Sequence, residues 1–459
     1  MSNTAASFIA KSTIKAADLE HRRKINFNIG KYNAVVPIGK QQFNNVMSAR
    51  EQAKNIKWNA IEHLDKHLEQ FEQKITARGA KVIWAENAQQ ALDEIGKICD
   101  AKNCKTLVKS KSMVTEEIHL NHFLEQRGIE SVETDLGEYI QQLDGEPPYH
   151  IVTPAMHKSK EDVARLFAAK LGVPGGLSPE ELTQVARQLL REKYVQAEVG
   201  VTGANFILAD IGGIAITENE GNARLSCSMP KTHIVVVGIE KVLPSVNDLH
   251  LFWPLLSTYG TGQKVTVYNT IVTGPRQANE NDGPEEMYVI LLDNGRTNLL
   301  ANQTAREALY CIRCGACLNA CPVYKNIGGH SYETTYSGPI GKVITPYLSG
   351  MNDYKHLSYS SSLCGNCTEV CPVRINLHEL LLDNRHEAVL QGSSTVAERI
   401  AWKVWKKASL NRKTMNMGSG PLKNWVVNKV FKGWTAHRGN LDFSKKTFNQ
   451  MWQEFRTDL

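Results

Sequence analysis

The sequence lacks any long apolar run, and this absence argues against a membrane-spanning protein. A spanning helix needs roughly 18 consecutive apolar residues, and no segment of the 459 residues approaches that length. The first residues also lack the continuous apolar core of a secretory signal peptide. Hydrophobic residues at 42% and charged residues at 22% are typical of folded, water-soluble chains. We therefore expect a cytoplasmic protein of several domains.

A second absence concerns nucleotide cofactors. The pattern G-x-G-x-x-G after a strand, which binds the pyrophosphate of flavin and nicotinamide dinucleotides, does not occur. The sequence therefore offers no fingerprint for hydride transfer and identifies no catalytic residue. Whether the chain alone is an enzyme stays open at this point.

Positive charge is concentrated at one end of the chain. Residues 401–459 contain twelve Lys and Arg against three Asp and Glu, a net charge of +9, whereas the whole chain carries +6. Five tryptophans accompany these charges: Trp402, Trp405, Trp425, Trp434 and Trp452. We predict a basic helical extension that docks on an acidic partner or on an anionic membrane surface. No DNA-binding motif is present, so we expect no nucleic acid partner.

Alternating strand and helix patterns precede the extension. The predicted strands are 81–85, 105–110, 129–134, 150–155, 205–217, 233–239, 265–273 and 287–293, and the predicted helices are 43–78, 88–100, 114–127, 160–171 and one that begins near 178–181. This alternation predicts a parallel sheet covered by helices. We divide the chain into an arm (1–42), an α/β domain (43–300), a small helical domain (301–390) and the extension (391–459).

Two cysteine runs stand in the small helical domain. Cys311, Cys314, Cys317 and Cys321, followed by Pro322, have the C-x2-C-x2-C-x3-C-P spacing of bacterial ferredoxins. The second run repeats that spacing with serine in the first position: Ser361, Cys364, Cys367 and Cys371, followed by Pro372. The spacing therefore predicts two iron–sulfur half-sites with seven thiols.

Ligand crossing between the runs, as in two-cluster ferredoxins, assigns the thiols to two clusters. The first, a [4Fe–4S] cluster, takes Cys311, Cys314, Cys317 and Cys371, and the second takes Cys321, Cys364 and Cys367. The second cluster is either a [4Fe–4S] cluster completed by Ser361, another side chain or water, or a [3Fe–4S] cluster. Zinc is the alternative metal, but zinc sites do not explain two Cys-Pro elements. The remaining thiols are predicted to be structural: Cys99, Cys104 and Cys227.

Two polar segments predict a site for an anion in the α/β domain. The first, between a predicted strand and the helix at 114–127, is a strand-to-helix junction of the kind that binds anions. Its candidate residues are Lys109, Ser110, Lys111 and Ser112, and those of the second segment are Thr202, Asn205, Asp210, Glu220, Asn222 and Arg224. The alternative is that these residues only solvate or cap the ends of helices and strands.

The chain resembles the lactate-utilization iron–sulfur protein B family. The matching segments are KSKSMVTEEI (109–118), ETDLGEYIQQL (133–143), EPPYHIVTPAMH (146–157), ENEGNARL (218–225), CIRCGACLNACPVY (311–324), GPIG (338–341) and CGNCTEVCPV (364–373). The resemblance implies a lactate-utilization domain with a fold related to sugar-phosphate isomerases and CoA transferases. It also implies an α-helical ferredoxin domain, a helical extension and two companion subunits that take part in oxidising L-lactate to pyruvate.

We therefore predict an iron–sulfur electron-transfer subunit of a cytoplasmic complex that oxidises L-lactate and allows growth on it. Two alternatives from other classes stay open. One is an iron–sulfur redox sensor that binds nucleic acid through its basic tail. The other is an acyl-transfer or isomerase enzyme that uses the polar pocket and carries accessory clusters.

Overall fold

The computed structural model describes residues 2–430 and 439–457. The chain divides into two compact units, Met1–Leu390 and Gln391–Leu459. Trp434, one of the five tryptophans of the basic extension, lies outside the described residues. No helix in the described parts of the chain is both long and apolar enough to cross a membrane.

The strands of the first unit form two sheets. In the described residues they are β1 Lys81–Ala85, β2 Thr106–Lys109, β3 Glu130–Glu133, β4 Val199–Thr202, β5 Phe206–Leu208, β6 Gly213–Glu218, β7 Thr232–Gly238, β8 Val242–Leu243, β9 Tyr268–Val272 and β10 Glu286–Leu292. The larger sheet is entirely parallel, with the order β1-β10-β7-β4-β2-β3. The smaller sheet has the order β8-β5-β6-β9.

Strand β7 shows why the larger sheet is buried on both faces. Its alternate residues belong to different hydrophobic clusters, with Ile234 and Val236 in one and Val235 and Val237 in the other. Successive side chains of a strand point to opposite faces, so two cores sandwich the sheet. The parallel α/β fold predicted from the alternating pattern is confirmed.

Helices cover both sheets and make up the rest of the first unit. They are α1 Asn3–Ala17, α2 Leu19–Lys40, α3 Val46–Glu62, α4 Leu64–Thr76, α5 Ala88–Ala101, α6 Met113–Glu117, α7 Leu120–Gln126, α8 Leu136–Asp144, α9 Lys160–Leu171, α10 Pro179–Gln196, α11 Asn222–Ser228, α12 Leu249–Thr261, α13 Arg296–Ala301, α14 Ala316–Ala320, α15 Pro322–Ile327, α16 Gly338–Ser349, α17 Met351–Tyr359, α18 Asn366–Glu369 and α19 Leu377–Leu390. Short 3-10 helices cover Ile239–Lys241, Val246–Asp248, Ala305–Tyr310 and His330–Tyr332. The helical character predicted for the cysteine-rich segment is confirmed.

The N-terminal arm is helical and packs into the core. Ile25 and Ile29, one helical turn apart on α2, are fully buried. Helix α2 lies against α12 of the α/β region and against α15 beside the first cysteine run. The arm therefore joins the first cysteine run to the sheet region.

Four predicted elements differ from the structure. The predicted helix 43–78 is two helices, α3 and α4, which are separated at His63. Residues 150–155 form a loop and not a strand. Pro154 interrupts the segment, and its carbonyl accepts a hydrogen bond from Tyr149 N at 2.9 Å, which closes a turn.

The predicted strand 205–217 is a hairpin of β5 and β6, because Gly212 adopts a left-handed conformation (φ +63°) in the turn. The predicted helix 114–127 is two short helices, α6 and α7, separated at His119 (φ +55°).

The second unit is helical in its described residues. Its helices are α20 Val396–Ser409, α21 Arg412–Met415, α22 Gly420–Val430 and α23 Phe448–Thr457. Four of the five tryptophans are about half exposed or more: Trp402, Trp405, Trp425 and Trp452. The prediction of a helical extension is confirmed.

Candidate metal centre and adjoining cavity

The two cysteine runs share one backbone conformation. Arg313 and Leu363, each just before the second ligand position of its run, are both left-handed, with φ of +60° and +55°. Gly315 and Gly365 follow with φ of +79° and +78°. Non-glycine residues rarely adopt positive φ, so the agreement shows that the second run repeats the first in structure and not only in spacing.

Ser361 occupies the position in the second run that Cys311 occupies in the first. The backbone N–H of Arg313 donates to Cys311 Sγ at 3.4 Å. The backbone N–H of Leu363 donates to Ser361 Oγ at 3.1 Å in the same way. The serine hydroxyl therefore stands where the repeat would place a sulfur.

The runs also pack against each other. Helix α14 of the first run lies against α18 of the second, and Asn366 Nδ2 donates to the carbonyl oxygen of Ala320 at 3.2 Å. The last thiol of the second run returns to the first run, since Cys371 lies near Cys311 and Cys314. Neighbouring thiols therefore come from both runs.

Four thiols form one electrostatic group. Burial raises the pKa of Cys314, and the neighbouring thiols of Cys371 and Cys311 add to the shift. Burial likewise raises the pKa of Cys317 well above its usual value, followed by the effects of Cys311 and Cys314. Burial raises the pKa of Cys371 to about 12. Such thiols resist ionisation until a cation binds, which fits a set of metal ligands.

The remaining three thiols form a second group. Burial raises the pKa of Cys367 to about 11, and the nearby Cys321 and Cys364 thiols contribute. All three line one small cavity together with Ser361 and His378. The residues thus fit the donor set of a second iron–sulfur cluster, with a hydroxyl and an imidazole close to the place where a fourth thiolate is missing.

A network of buried charges joins the first thiol group to the sheet. Arg296 Nε donates to Glu240 Oε2 at 2.6 Å, and its Nη2 donates to Glu117 Oε2 at 2.9 Å. Tyr336 donates to the same Glu117 oxygen at 2.6 Å, and the Arg313 guanidinium lies 4.4 Å from the Tyr336 ring centroid. Sequence reasoning missed these residues because their partners are far apart along the chain.

A cavity of about 390 Å³ lies where the carboxyl ends of β2, β3 and β4 approach the first cysteine run. Open parallel sheets commonly bind ligands at this edge. Six of the ten residues predicted for the anion site line it: Ser110, Lys111, Ser112, Asn205, Glu220 and Asn222. Lining residues that the sequence did not suggest include Asp135, Lys241, Arg313, Cys314 and Tyr336. The predicted pocket therefore shares a wall with the predicted cluster ligands.

Two predicted site residues are engaged elsewhere. Lys109 is fully buried and forms ion pairs with Glu116 at 2.8 Å and Glu133 at 2.7 Å. Thr202 is also buried, and its Oγ1 lies 2.8 Å from His233 Nε2. Internal partners therefore satisfy both side chains, and neither residue is part of the cavity lining.

Asp210 and Arg224 also lie apart from the cavity lining. Asp210 accepts hydrogen bonds from Ser245 Oγ at 2.8 Å and Val246 N at 3.0 Å, so it fixes a turn. Arg224 is exposed, and its guanidinium lies 5.4 Å from the Tyr268 ring centroid. Asp210 therefore fixes a turn and Arg224 lies at the surface, and neither is part of the cavity lining.

Charged groups on one side of the cavity influence each other. Partial burial raises the pKa of Glu220 to about 7, and the neighbouring Asp135 carboxylate adds to the shift. Burial alone would lower the pKa of Lys111, but the carboxylates of Asp135, Glu138 and Glu220 raise it. Lys111 Nζ also donates to the Val152 carbonyl at 2.7 Å. This side therefore combines a charged lysine with a carboxyl group that ionises near neutral pH.

A separate group of potential metal ligands consists of Glu146, His157 and His330. His157 Nε2 lies 3.0 Å from Glu146 Oε2, and Lys158 Nζ lies 2.9 Å from the same oxygen. His330 Nε2 lies 2.8 Å from the Pro147 carbonyl oxygen. Because a lysine already neutralises the carboxylate, the arrangement fits a network that anchors the 146–158 segment.

Comparison with known proteins agrees with this architecture. Residues 68–292 match the family model described as the LUD domain, and residues 307–375 match the one described as a 4Fe-4S dicluster domain. The second match supports iron–sulfur clusters as the cofactors of this chain. A solved structure, a DUF162 family protein from Deinococcus radiodurans, is 14% identical and covers 50% of this chain and 98% of that chain, but its TM-score of 0.28 is too low to support an argument.

Curated relatives match over most of the chain. Lactate utilization protein B of Bacillus velezensis is 44% identical over 404 residues, which cover 83% of this chain and 85% of that protein. Lactate utilization protein B of Bacillus subtilis strain 168 is 42% identical over 427 residues, which cover 86% and 89%. With this identity over this length, the chain belongs to the lactate utilization protein B family.

Proposed function

We propose that this protein is an iron–sulfur electron-transfer subunit of a cytoplasmic system that oxidises L-lactate to pyruvate and permits growth on lactate. The observation that carries the proposal is the pair of cysteine runs with one shared backbone conformation, packed so that their seven thiols fall into two groups. The names of the relatives supply the lactate connection. When bound, such clusters supply one-electron oxidation and reduction.

The proposed ligand sets follow the two thiol groups. The first cluster takes Cys311, Cys314, Cys317 and Cys371, and the second takes Cys321, Cys364 and Cys367 with Ser361 beside them. Backbone N–H groups that donate to sulfur, such as those of Arg313 and Ile375, favour the thiolate form at these sites. Five of the seven proposed cysteine ligands are buried. Cys311 is partly exposed, and Cys364 is exposed.

We propose that the chain has four segments with separate roles in this function. The α/β domain spans 43–300 and the two-cluster domain spans 301–390, with the arm at 1–42 packed across both. The extension at 391–459 is proposed to dock on one of two companion subunits or on an anionic surface, since it combines a net positive charge with exposed tryptophans. Exposed tryptophans are costly unless a partner covers them.

The ligand proposal is tested by removing one thiol from each class. Anaerobically purified protein should contain about eight irons, or about seven if the second cluster is [3Fe–4S], with similar sulfide. Cys314→Ala should lose the first cluster in EPR spectra, because one thiolate corner is gone. Cys227→Ala is the matched control, since that thiol is buried but isolated from both groups. Zinc without sulfide, or an unchanged spectrum for Cys314→Ala, would contradict the proposal.

A further inference from the structure

Two cations on one wall of the cavity have N–H groups without acceptors. Lys241 is buried, and no described residue accepts a hydrogen bond from its Nζ. Arg313 Nη2 lies 3.4 Å from Glu240 Oε1, but its buried Nη1 has no partner among the described residues. A buried donor without an acceptor destabilises a protein, so Arg313 Nη1 favours a ligand that brings an acceptor oxygen, and Lys241 is a second cation in the same lining.

The acidic side chains of the cavity lining do not pair with these two cations. Glu218 accepts hydrogen bonds from the backbone of Ala223 at 2.7 Å and of Arg224 at 2.9 Å. Asp135 Oδ1 accepts one from Glu138 N at 3.2 Å, and its other oxygen lies 3.7 Å from Lys111 Nζ. In the described residues, no ion pair joins Asp135, Glu218 or Glu220 to Lys241 or Arg313.

The charge around Glu240 points the same way. Two carboxylates, Glu117 and Glu240, lie among four basic side chains: Lys57, Lys241, Arg296 and Arg313. The fully buried Arg296 takes both carboxylates as partners. Lys241 and Arg313 line the cavity and also lie near the Cys311 thiol, so they stand between the cavity and the first thiol group.

The size and lining of the cavity admit such a ligand. A volume of about 390 Å³ leaves room for a small carboxylate together with ordered water. Elsewhere in the lining, Ser112 and Asn205 offer groups that pair with a hydroxyl or a carbonyl. Cys314 lies on the same wall as Arg313, so a bound molecule would lie beside the first thiol group.

We propose that this cavity binds a small carboxylate with an adjacent hydroxyl or carbonyl oxygen, and that Lys241 and Arg313 hold its carboxylate group beside Cys314. The inference rests on the proposed function, because it places the substrate of lactate oxidation, or its product, in this chain and not only in a companion subunit. It adds a binding site to a chain otherwise proposed to carry electrons.

Calorimetry on the anaerobically purified full-length protein tests the charge requirement without any mutation. L-lactate and pyruvate are the probes, and L-lactamide is the neutral control of nearly equal size. Loss of one charge-assisted contact typically weakens binding roughly tenfold to a hundredfold. We expect measurable affinity for at least one carboxylate and at least tenfold weaker binding of the amide. Equal binding of lactate and lactamide, or no binding of either carboxylate, would overturn the inference.

Variants then assign the residues. Lys241→Met should weaken carboxylate binding at least tenfold, and Arg313→Gln provides an independent variant on the same wall. Lys105→Met is the matched control, because Lys105 is exposed and lies outside the cavity lining. If Lys241→Met and Arg313→Gln bind the carboxylate as the parent does, and only the cluster potential shifts, then these cations serve the cluster alone and the inference is wrong.

Iron and sulfide counts on the same samples separate the two proposals. Protein with both clusters but no carboxylate binding would overturn the cavity site and leave the electron-transfer proposal intact. Carboxylate binding in protein without iron and sulfide would support the cavity site and overturn the electron-transfer proposal.

Discussion

Glu220 is the residue whose ionisation should control the charge of the cavity near neutral pH. Partial burial and the neighbouring Asp135 raise its pKa to about 7, Lys111 opposes the shift, and Glu218 also faces it. A raised carboxyl pKa means that Glu220 is neutral below pH 7 and negative above it. Affinity for a carboxylate should therefore fall by several-fold between pH 6 and pH 8.

The measurement is calorimetry with L-lactate across that pH interval. Glu220→Gln should show a weaker pH dependence than the parent, because the neutral amide no longer titrates and only Lys241, whose pKa burial lowers to about 8, still loses charge towards pH 8. Glu180→Gln, at an exposed helix start, is the control and should keep the parent's pH dependence. A steep pH dependence that persists in Glu220→Gln would show that another group is responsible.

Ser361 is the residue that decides the nature of the second cluster. Its hydroxyl accepts the same backbone hydrogen bond that Cys311 sulfur accepts in the first run. Ser361→Cys should therefore supply a fourth thiolate and convert a labile or three-iron site into a stable four-iron cluster. EPR and iron counting on the anaerobic protein measure the change.

Ser362→Cys is the matched control for that experiment, because it places a thiol one position away in the same small cavity. We expect it to leave the iron content of the second cluster unchanged, and its spectrum to shift only through loss of the hydrogen bond between Ser362 and Cys364. If Ser361→Cys also leaves the spectrum unchanged, the serine does not face the cluster and the equivalence of the two runs ends at the backbone.

Among the elements, β4 depends on close contact with α11. A Cβ atom at Gly200, in the middle of β4, would lie 1.8 Å from the backbone oxygen of Ser226 in α11. Gly200→Ala must therefore push the helix away from the strand that ends at the cavity. We expect a loss of more than about 2 kcal/mol in the free energy of unfolding, measured by denaturant titration.

Gly30→Ala is the control for that substitution. Gly30 lies in helix α2, and nothing stands within 4 Å of the position that an alanine methyl group would take there. Alanine should stabilise the protein by about 0.5–1 kcal/mol, because glycine loses more backbone entropy in a helix. Equal stability of the two variants would show that β4 and α11 can separate without cost.

Elements with a strong local signal could be predicted from the sequence. The helix expected at 160–171 is α9, with those bounds, and Ser178 with Glu181 forms the capping box at the start of α10. The predictions failed where distant contacts decide. The β-branched segment at 150–155 is a loop whose Val152 carbonyl binds Lys111, and such a partner, 41 positions away, leaves no trace in local periodicity.

For the candidate site, too, local patterns are visible in the sequence whereas contacts between distant residues are not. Cysteine spacing, together with the ligand crossing of two-cluster ferredoxins, predicts two sets of ligands, because cluster ligation requires a fixed local geometry. Polar composition predicted Lys111, Asn205 and Glu220 at the cavity. It could not separate them from Lys109, because only the folded protein shows that Glu116 and Glu133 satisfy that side chain.

At the scale of the whole molecule, the basic extension is proposed to make the chain part of an assembly. A chain that ends at Gln391 should keep both clusters, because every proposed ligand precedes that residue, but it should no longer bind its companion subunits. Binding of the full-length chain should weaken at high salt, since charge screening shortens to about 3 Å at 1 M. Analytical ultracentrifugation of the mixed subunits measures both effects.

If the shortened chain assembles with its companions at low and high salt alike, the extension has no docking role. Tight, salt-sensitive binding of the isolated extension to DNA would instead support the redox-sensor alternative.

The central claim is that electrons from lactate pass through this chain. Its most direct test is anaerobic EPR of the full-length protein, mixed with its companion subunits, before and after addition of L-lactate. We predict that lactate changes the iron–sulfur signals of the parent, and that the Cys314→Ala chain with the same companions abolishes that change while Cys227→Ala preserves it. Iron–sulfur signals of this chain that stay unchanged when lactate is turned over to pyruvate would contradict the account.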